Sequence, residues 1–173
     1  VNLKNWKISN RLTATKYTIT TEDYILQPDS YAVITRSDTI FYFHSSIPSK
    51  VFVVPQIPPA RFRNDSDAVV LFDSSNTVID SVYYKSNWVR TGYSIERIYP
   101  NRNSNLKSTW GISADPERST PGRKNSIMAK GIDLMAKNIT ISPEQIFQGQ
   151  SFNVKPTIYN IGIFPVGEFS VSF

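Results

Sequence analysis

His44 is the one residue of this chain suited to act as a general base near neutral pH, because the 173 residues contain one histidine and no cysteine. A serine hydrolase site would have to be built on it, yet the sequence has no Gly-x-Ser-x-Gly nucleophile elbow. Sites that need a thiolate or two imidazoles are excluded. We therefore predict that His44 ends a strand or lies in a loop, and that the chain is not an enzyme.

The acidic residues suggest two further kinds of site. Three aspartates between residues 65 and 73 could offer oxygen ligands to calcium, but the glycine and the distal glutamate of a calcium loop are missing, so we expect turn acceptors instead. Glu96 with Asp80 or Glu22 could form a glycosidase pair, although nothing in the sequence brings them together. We predict no catalytic residue, no metal site and no cofactor. The three aspartates are Asp65, Asp67 and Asp73.

An excess of basic residues is the third feature that could form a functional site. The net charge is +5, and residues 85–130 hold nine Lys and Arg against three Asp and Glu. The connection around Trp88, Arg90 and Tyr93 could stack on a sugar or grip a polyanion. Alternatively, Trp88 packs onto the end of the fold and the charges are merely solvated, since no nucleic-acid-binding motif accompanies them. The candidate patch is Lys85, Trp88, Arg90, Tyr93, Arg102, Lys107, Arg123 and Lys124.

The elements that must position these residues are short strands. β-Branched and aromatic residues alternate in runs separated by Pro, Asn, Asp, Ser or Gly, which predicts an all-β fold. The clearest hairpin turns at Asn76, which tolerates the left-handed conformation of a tight turn. Glu96 and Arg97 adjoin in a strand and must point to opposite faces. The predicted strands are Leu3–Ser9, Tyr17–Ile19, Tyr31–Thr35, Thr39–Phe43, Val51–Val54, Ala68–Asp73, Thr77–Tyr84, Tyr93–Tyr99, Ile132–Ile141, Ser151–Tyr159 and Glu168–Phe173.

The sequence pattern changes after the middle of the chain. Periodicity fades over Ser108–Asn125, which we interpret as an ordered closing loop anchored by Trp110. We predict a first domain at 1–126, a linker at 127–131 and a second unit at 132–173. The second unit has about 42 residues, near the size at which a core needs outside support.

Five blocks of residues 1–126 together resemble the lamin tail domain, an immunoglobulin-like β-sandwich of nuclear lamins and of many bacterial surface or secreted proteins. The resemblance implies an immunoglobulin-like fold. The blocks are Val1–Ser9, Leu26–Ile34, Asn64–Tyr84, Gly92–Arg97, and Trp110 with Thr120–Asn125.

One departure from that family concerns assembly. Its members open with a further strand before the block that stands first here, and the unpaired edge would invite strand addition by another protein domain. We therefore expect other protein domains as partners.

Residues 132–173 resemble the first half of CARDB, a bacterial cell-adhesion-related immunoglobulin-like domain, with Asn160-Ile-Gly162 matching its Asn-x-Gly turn. The expected fold is thus an immunoglobulin-like β-sandwich followed by a second, truncated β unit. The two resemblances imply a structural or adhesion module of a larger bacterial protein, exported or at the cell surface. The rival function is binding of a polyanion or glycan by the basic patch.

Overall fold

The structure is a computed structural model that describes residues 1–11, 14–63 and 65–172. Asn64, which begins one of the lamin-tail blocks, and Phe173, which ends the last predicted strand, lie outside the described residues. The chain divides into two compact units, Val1–Met128 and Ala129–Phe173, which are described separately. The fold is all-β and consistent with an immunoglobulin-like β-sandwich, as predicted.

The first unit is built from short strands in three sheets. An antiparallel sheet has the order β2-β1-β5-β6, β3 pairs with β4 in parallel, and β7 pairs with β8 antiparallel. Two 3₁₀ turns, Ser86–Trp88 and Lys107–Thr109, precede β7 and β8. The strands are β1 Lys7–Ser9, β2 Tyr17–Thr18, β3 Ala32–Thr35, β4 Lys50–Val53, β5 Ser66–Phe72, β6 Val78–Lys85, β7 Ile95–Arg97 and β8 Trp110–Ile112.

Strand β5 is apolar on both faces and organises the core. Ala68, Val70 and Phe72 are almost fully buried on one face. Val69 and Leu71, on the other face, pack against the main cluster. An unbroken apolar run is what a strand covered on both sides requires. The main cluster consists of Leu3, Ile8, Tyr17, Ile19, Phe52, Val54 and Ile57.

The predicted hairpin is confirmed. Strands β5 and β6 pair antiparallel, and Asn76 adopts a left-handed φ of 67° in the turn. The Asp73 carboxylate accepts the Thr77 N–H at 2.8 Å, and the Asp73 carbonyl accepts the Asn76 N–H at 3.1 Å. The turn chemistry read from the sequence therefore sets this register.

The prediction of a strand over Thr39–Phe43 was wrong. Those residues form one helical turn, α1, at Ile40–Phe43. Because β3 and β4 are parallel, the chain between them must cross back to the same end of the sheet, and α1 lies in that crossover. A short apolar run fits a strand or a helical turn equally well, so its pattern could not separate the two.

Most other strand boundaries shift by one or two residues, and three differences are larger. Asn5 has a φ of 59°, which interrupts the Leu3–Ser9 run and leaves the strand at Lys7–Ser9. Trp110 begins strand β8 instead of lying in a loop. Residues 168–172 form no strand.

The second unit contains one antiparallel hairpin. Strands β9 (Leu134–Ser142) and β10 (Asn153–Asn160) pair with a register shift between Lys155 and Thr157. Asn160 accepts the Gly162 N–H through its side chain at 2.9 Å, so the predicted Asn-x-Gly turn is present. In the part of the chain that the structure describes, no helix is long and apolar enough to cross a membrane.

Candidate functional site

Arg90 and Tyr93 are the two members of the predicted basic patch that the structure brings together. The Arg90 guanidinium lies over the Tyr93 ring, 4.3 Å from its centroid. The Tyr93 N–H donates to the Arg90 carbonyl at 3.0 Å, which closes a β-turn, and Gly92 supplies the positive φ of 78°. The sequence Arg-Thr-Gly-Tyr therefore creates the contact locally.

Arg118 joins this pair from a distant part of the chain. Its guanidinium lies 5.3 Å from the Tyr93 centroid, and the Ser94 N–H donates to the Arg118 carbonyl at 2.9 Å. Arg118 was not among the predicted patch residues, and no local sequence pattern links it to Tyr93. We call Arg90 and Arg118 the arginine pair.

The other patch residues lie in different surroundings. Arg102 stacks over Tyr99 at 3.7 Å. Arg123 is 2.9 Å from Asp115 and 3.6 Å from Glu117, so its charge is balanced. Trp88 is half-buried in its 3₁₀ turn, which favours the packing interpretation of that side chain. The remaining members, Lys85, Lys107 and Lys124, are exposed.

A mainly apolar groove of about 890 Å³ runs beside Arg90 and Tyr93. Its size is typical of a binding site for a small molecule or for a few side chains. We call it the Tyr93 groove. Its apolar lining is Phe62, Val69, Val82, Val89, Ile95 and Trp110, and its polar lining is Arg63, Tyr84, Ser86, Arg90, Thr91, Gly92 and Tyr93.

The charged residues at the Tyr93 groove differ in whether a carboxylate balances them. Arg63 is paired with Asp65 at 3.0 Å. Burial raises the pKa of Tyr84, and Asp67 and Asp65 raise it further, so its hydroxyl stays protonated and donates to the Arg63 carbonyl at 2.6 Å. Among the described residues, no carboxylate lies within 4.0 Å of either member of the arginine pair. Uncompensated positive charge is therefore concentrated beside Tyr93.

His44 meets a serine and a carboxylate, which the sequence analysis did not anticipate. Its Nε2 lies 2.8 Å from the Ser119 Oγ, and its Nδ1 lies 3.3 Å from the Glu117 Oε2. These are the positions of a nucleophile, a base and an orienting carboxylate. The partners are more than 70 residues away in sequence, so no local pattern announced them. An open cavity of about 430 Å³ is lined by His44 and Ser119 but not by Glu117.

The surroundings of Glu117 favour a structural role for this cluster. Its side chain is 61% exposed, and its Oε2 is also 3.6 Å from Arg123. An orienting carboxylate in a hydrolase is buried and directed at the histidine alone, whereas the charge of Glu117 is shared and screened by water. The contacts of His44 thus tie α1 to the segment around Ser119.

Glu96 is a buried carboxylate that binds the part of the chain from Glu117 to Ser126, which we call the closing segment. It is 3% exposed, and it accepts the Thr120 hydroxyl at 2.7 Å and both the N–H and the hydroxyl of Ser126 at 2.7 Å. Burial alone would raise the pKa of Glu96, but the hydrogen bonds from Ser126 and Thr120 outweigh it and hold the pKa below its ordinary value. We call this arrangement the Glu96 clamp.

The remaining acidic candidates serve the fold. Arg97 binds Asp80 at 2.9 Å while Glu96 faces the closing segment, so the two strand neighbours point apart as predicted and no glycosidase pair forms with Asp80. Each of the three aspartates accepts a backbone N–H. For Asp73 this bond lies in the turn between β5 and β6, as predicted, whereas for Asp65 and Asp67 it comes from the next residue, at the start of β5. These bonds are Ser66 to Asp65, Ala68 to Asp67 and Thr77 to Asp73. Across the described residues, no group of three or more His, Cys, Asp or Glu could hold a metal.

Replacing Glu96 by glutamine should destabilise the protein and make its free energy of unfolding depend less on pH in the acidic range. The amide presents a donor to groups that themselves donate, and we expect a loss of about 2 kcal/mol in the free energy of unfolding. The pKa of Glu96 is lower in the folded protein than its ordinary value of 4.5. The carboxylate therefore stabilises the wild type at pH values above 4.5, and this stabilisation is lost as the pH falls through the pKa of the folded state. Urea unfolding at a series of pH values measures both effects. Glu117→Gln is the exposed control, and equal behaviour of the two variants would contradict the clamp.

Ser119 should not behave as an activated nucleophile. With Glu117 exposed and shared, His44 lacks the buried partner that would stabilise its protonated form during acyl transfer. We expect no stoichiometric adduct on Ser119 after incubation with a fluorophosphonate, measured by intact-mass spectrometry. A one-to-one adduct on Ser119 that disappears in His44→Ala would overturn this interpretation.

Comparison with known families supports the first of the two resemblances. Residues 1–86 match the family model described as Lamin Tail Domain. The match covers 86 of the 173 residues, and the lamin-tail resemblance of residues 87–126 and the adhesion-related resemblance of residues 132–173 stay predictions. Neither a curated protein nor a solved structure matches the chain. The first half of the chain is thus similar to the lamin tail domain, a family of immunoglobulin-like structural or interaction modules without catalytic function.

Proposed function

We propose that this chain is a non-enzymatic interaction module of a larger bacterial protein, exported or at the cell surface. In this proposal residues 1–126 form a lamin-tail-like domain, residues 127–131 a linker and residues 132–173 an adhesion-related unit. The Tyr93 groove is the contact site of the first domain. It takes a large apolar side chain from a partner protein.

The observation that carries this proposal is the apolar lining of an open groove. Val69 and Val82 come from neighbouring strands, and Trp110 comes from β8. A surface that keeps such residues around a cavity of about 890 Å³ is suited to bury an aliphatic or aromatic side chain. Burial of apolar area is the main source of affinity in protein recognition. The groove therefore supports a protein partner.

Strand addition by another protein domain has less support. We expected it because the first strand of the lamin tail family is missing from this sequence. Strand β1 lies between β2 and β5, and the long edge strand of that sheet is β6. Asn105 accepts the Tyr83 N–H at 2.9 Å, and Ser104 donates to Asp80 at 2.7 Å. Residues 104 and 105 thus occupy part of the β6 edge, as proteins commonly do to prevent pairing.

A general polyanion or glycan site also has less support. Of the eight patch residues, the structure joins Arg90 and Tyr93, whereas Arg102 lies over Tyr99 and Arg123 is balanced by two carboxylates. Nucleic acids and acidic polysaccharides need several cations along one surface. The groove beside Tyr93 is instead mainly apolar.

A matched pair of valine variants tests the proposed function. Val89 lines the Tyr93 groove and is 40% exposed, and Val78 lies outside it and is 42% exposed. We expect a random peptide library displayed on phage to yield binders with a large apolar side chain on the immobilised chain. Their affinity, measured by fluorescence anisotropy, should fall about tenfold in Val89→Gln, because an amide without a partner enters the apolar contact. In Val78→Gln it should stay within about twofold of wild type. No enriched peptide, or an equal loss in both variants, would contradict the proposal.

A further inference from the structure

We infer that the arginine pair binds a carboxylate, so that the partner segment is an acidic peptide whose neighbouring apolar side chain occupies the Tyr93 groove. This inference rests on the proposed function and specifies the chemistry of the partner.

Two cations lie beside one aromatic ring. The guanidinium groups of Arg90 and Arg118 lie 4.3 and 5.3 Å from the Tyr93 centroid. Both distances are within the range of about 6 Å over which a cation is attracted to an aromatic ring, so Tyr93 holds two positive charges in one neighbourhood. An anion that binds beside Tyr93 would be attracted by both.

Some arginines elsewhere in the fold are paired with carboxylates. Arg97 is paired with Asp80, Arg123 with Asp115, and Arg63 with Asp65. In the described part of the chain, neither member of the arginine pair has a carboxylate within 4.0 Å, and the same is true of Arg36, Arg61 and Arg102. What distinguishes the arginine pair is that its two charges lie beside the same ring, where an external acid can meet both.

The backbone of Arg118 has a φ of 64°. This left-handed conformation is less favourable for a residue with a side chain than for glycine. Strained positions often mark functional sites. A long cationic side chain thus stands where glycine would fit more easily, which is expected when a residue serves binding at some cost in stability.

The positive charge of the arginine pair lies beside the Tyr93 groove. Arg90, Gly92 and Tyr93 all line the Tyr93 groove. A Cβ on Gly92 would lie 3.6 Å from the Arg118 Nη1, which shows how near that guanidinium lies to the groove wall. A ligand in the groove can therefore reach both arginines.

The combination of surfaces selects the class of partner. A guanidinium binds a carboxylate through two parallel hydrogen bonds, which makes arginine suited to Asp and Glu. The apolar lining matches Leu, Ile or Phe beside that acid. A polysaccharide or nucleic acid would offer many charges to two arginines and little apolar surface to the groove. An acidic peptide with one large apolar residue satisfies both.

Paired peptides test the inference on the whole chain. Peptides selected on the wild type are synthesised with their acidic residues intact and with Asp and Glu replaced by Asn and Gln, and their affinities are compared by fluorescence anisotropy. We expect the acidic form to bind at least about tenfold more tightly. The advantage should disappear in the double variant Arg90→Gln with Arg118→Gln. It should persist in the matched double variant Lys107→Gln with Lys124→Gln, which removes two exposed charges outside the groove.

Arg118→Gly separates a binding role from a structural one. It relieves the left-handed backbone and removes the charge, so we expect unchanged or higher thermal stability together with weaker binding of the acidic peptide. Weaker binding that merely follows a lower melting temperature would contradict the inference.

Four other outcomes would overturn the inference. Equal affinity of acidic and amide peptides would leave the proposed function standing and remove the carboxylate site. Equal losses in the arginine and lysine double variants would show diffuse attraction, and heparin displacing the peptide equally well from both variants would indicate a polyanion surface. Absence of any enriched peptide would remove the proposed function as well.

Discussion

The first unit depends on one buried carboxylate. Glu96 gathers the Thr120 hydroxyl together with the N–H and the hydroxyl of Ser126, all at 2.7 Å, in a position that is 3% exposed. A charge this deep is tolerated only when several donors satisfy it. The closing segment has few strand residues of its own, so the Glu96 clamp supplies the order that a sheet supplies elsewhere.

The clamp also explains how the candidate site is assembled. Fixing Thr120 against β7 places Arg118 two residues away, where its carbonyl accepts the Ser94 N–H at 2.9 Å. That bond aligns Arg118 with Tyr93, while the turn closed by Gly92 aligns Arg90 with the same ring. A carboxylate facing the closing segment thus positions one of the two cations beside the Tyr93 groove, and a local turn positions the other. The contacts of His44 with Ser119 and Glu117 hold the same segment against α1.

Features that depend on neighbours in sequence were predictable, and features that depend on distant contacts were not. The hairpin at Asn76 and the contact of Arg90 with Tyr93 each arise within a single turn, where residue types dictate the backbone. The helix α1 follows from parallel pairing of β3 and β4, which no local pattern encodes. Arg118 reaches Tyr93 from 25 residues away through the closing segment. Sequence analysis therefore found half of the arginine pair.

Amide hydrogen exchange gives the most direct test of the claim that the Glu96 clamp positions Arg118. In the wild type the N–H of Ser126, which donates to Glu96, and the N–H of Ser94, which donates to Arg118, should both be protected. In Glu96→Gln we expect both to lose protection together, while the N–H groups of the β5–β6 hairpin keep theirs. Retained protection at Ser94 in that variant would show that Arg118 is held without the clamp, and would contradict the account.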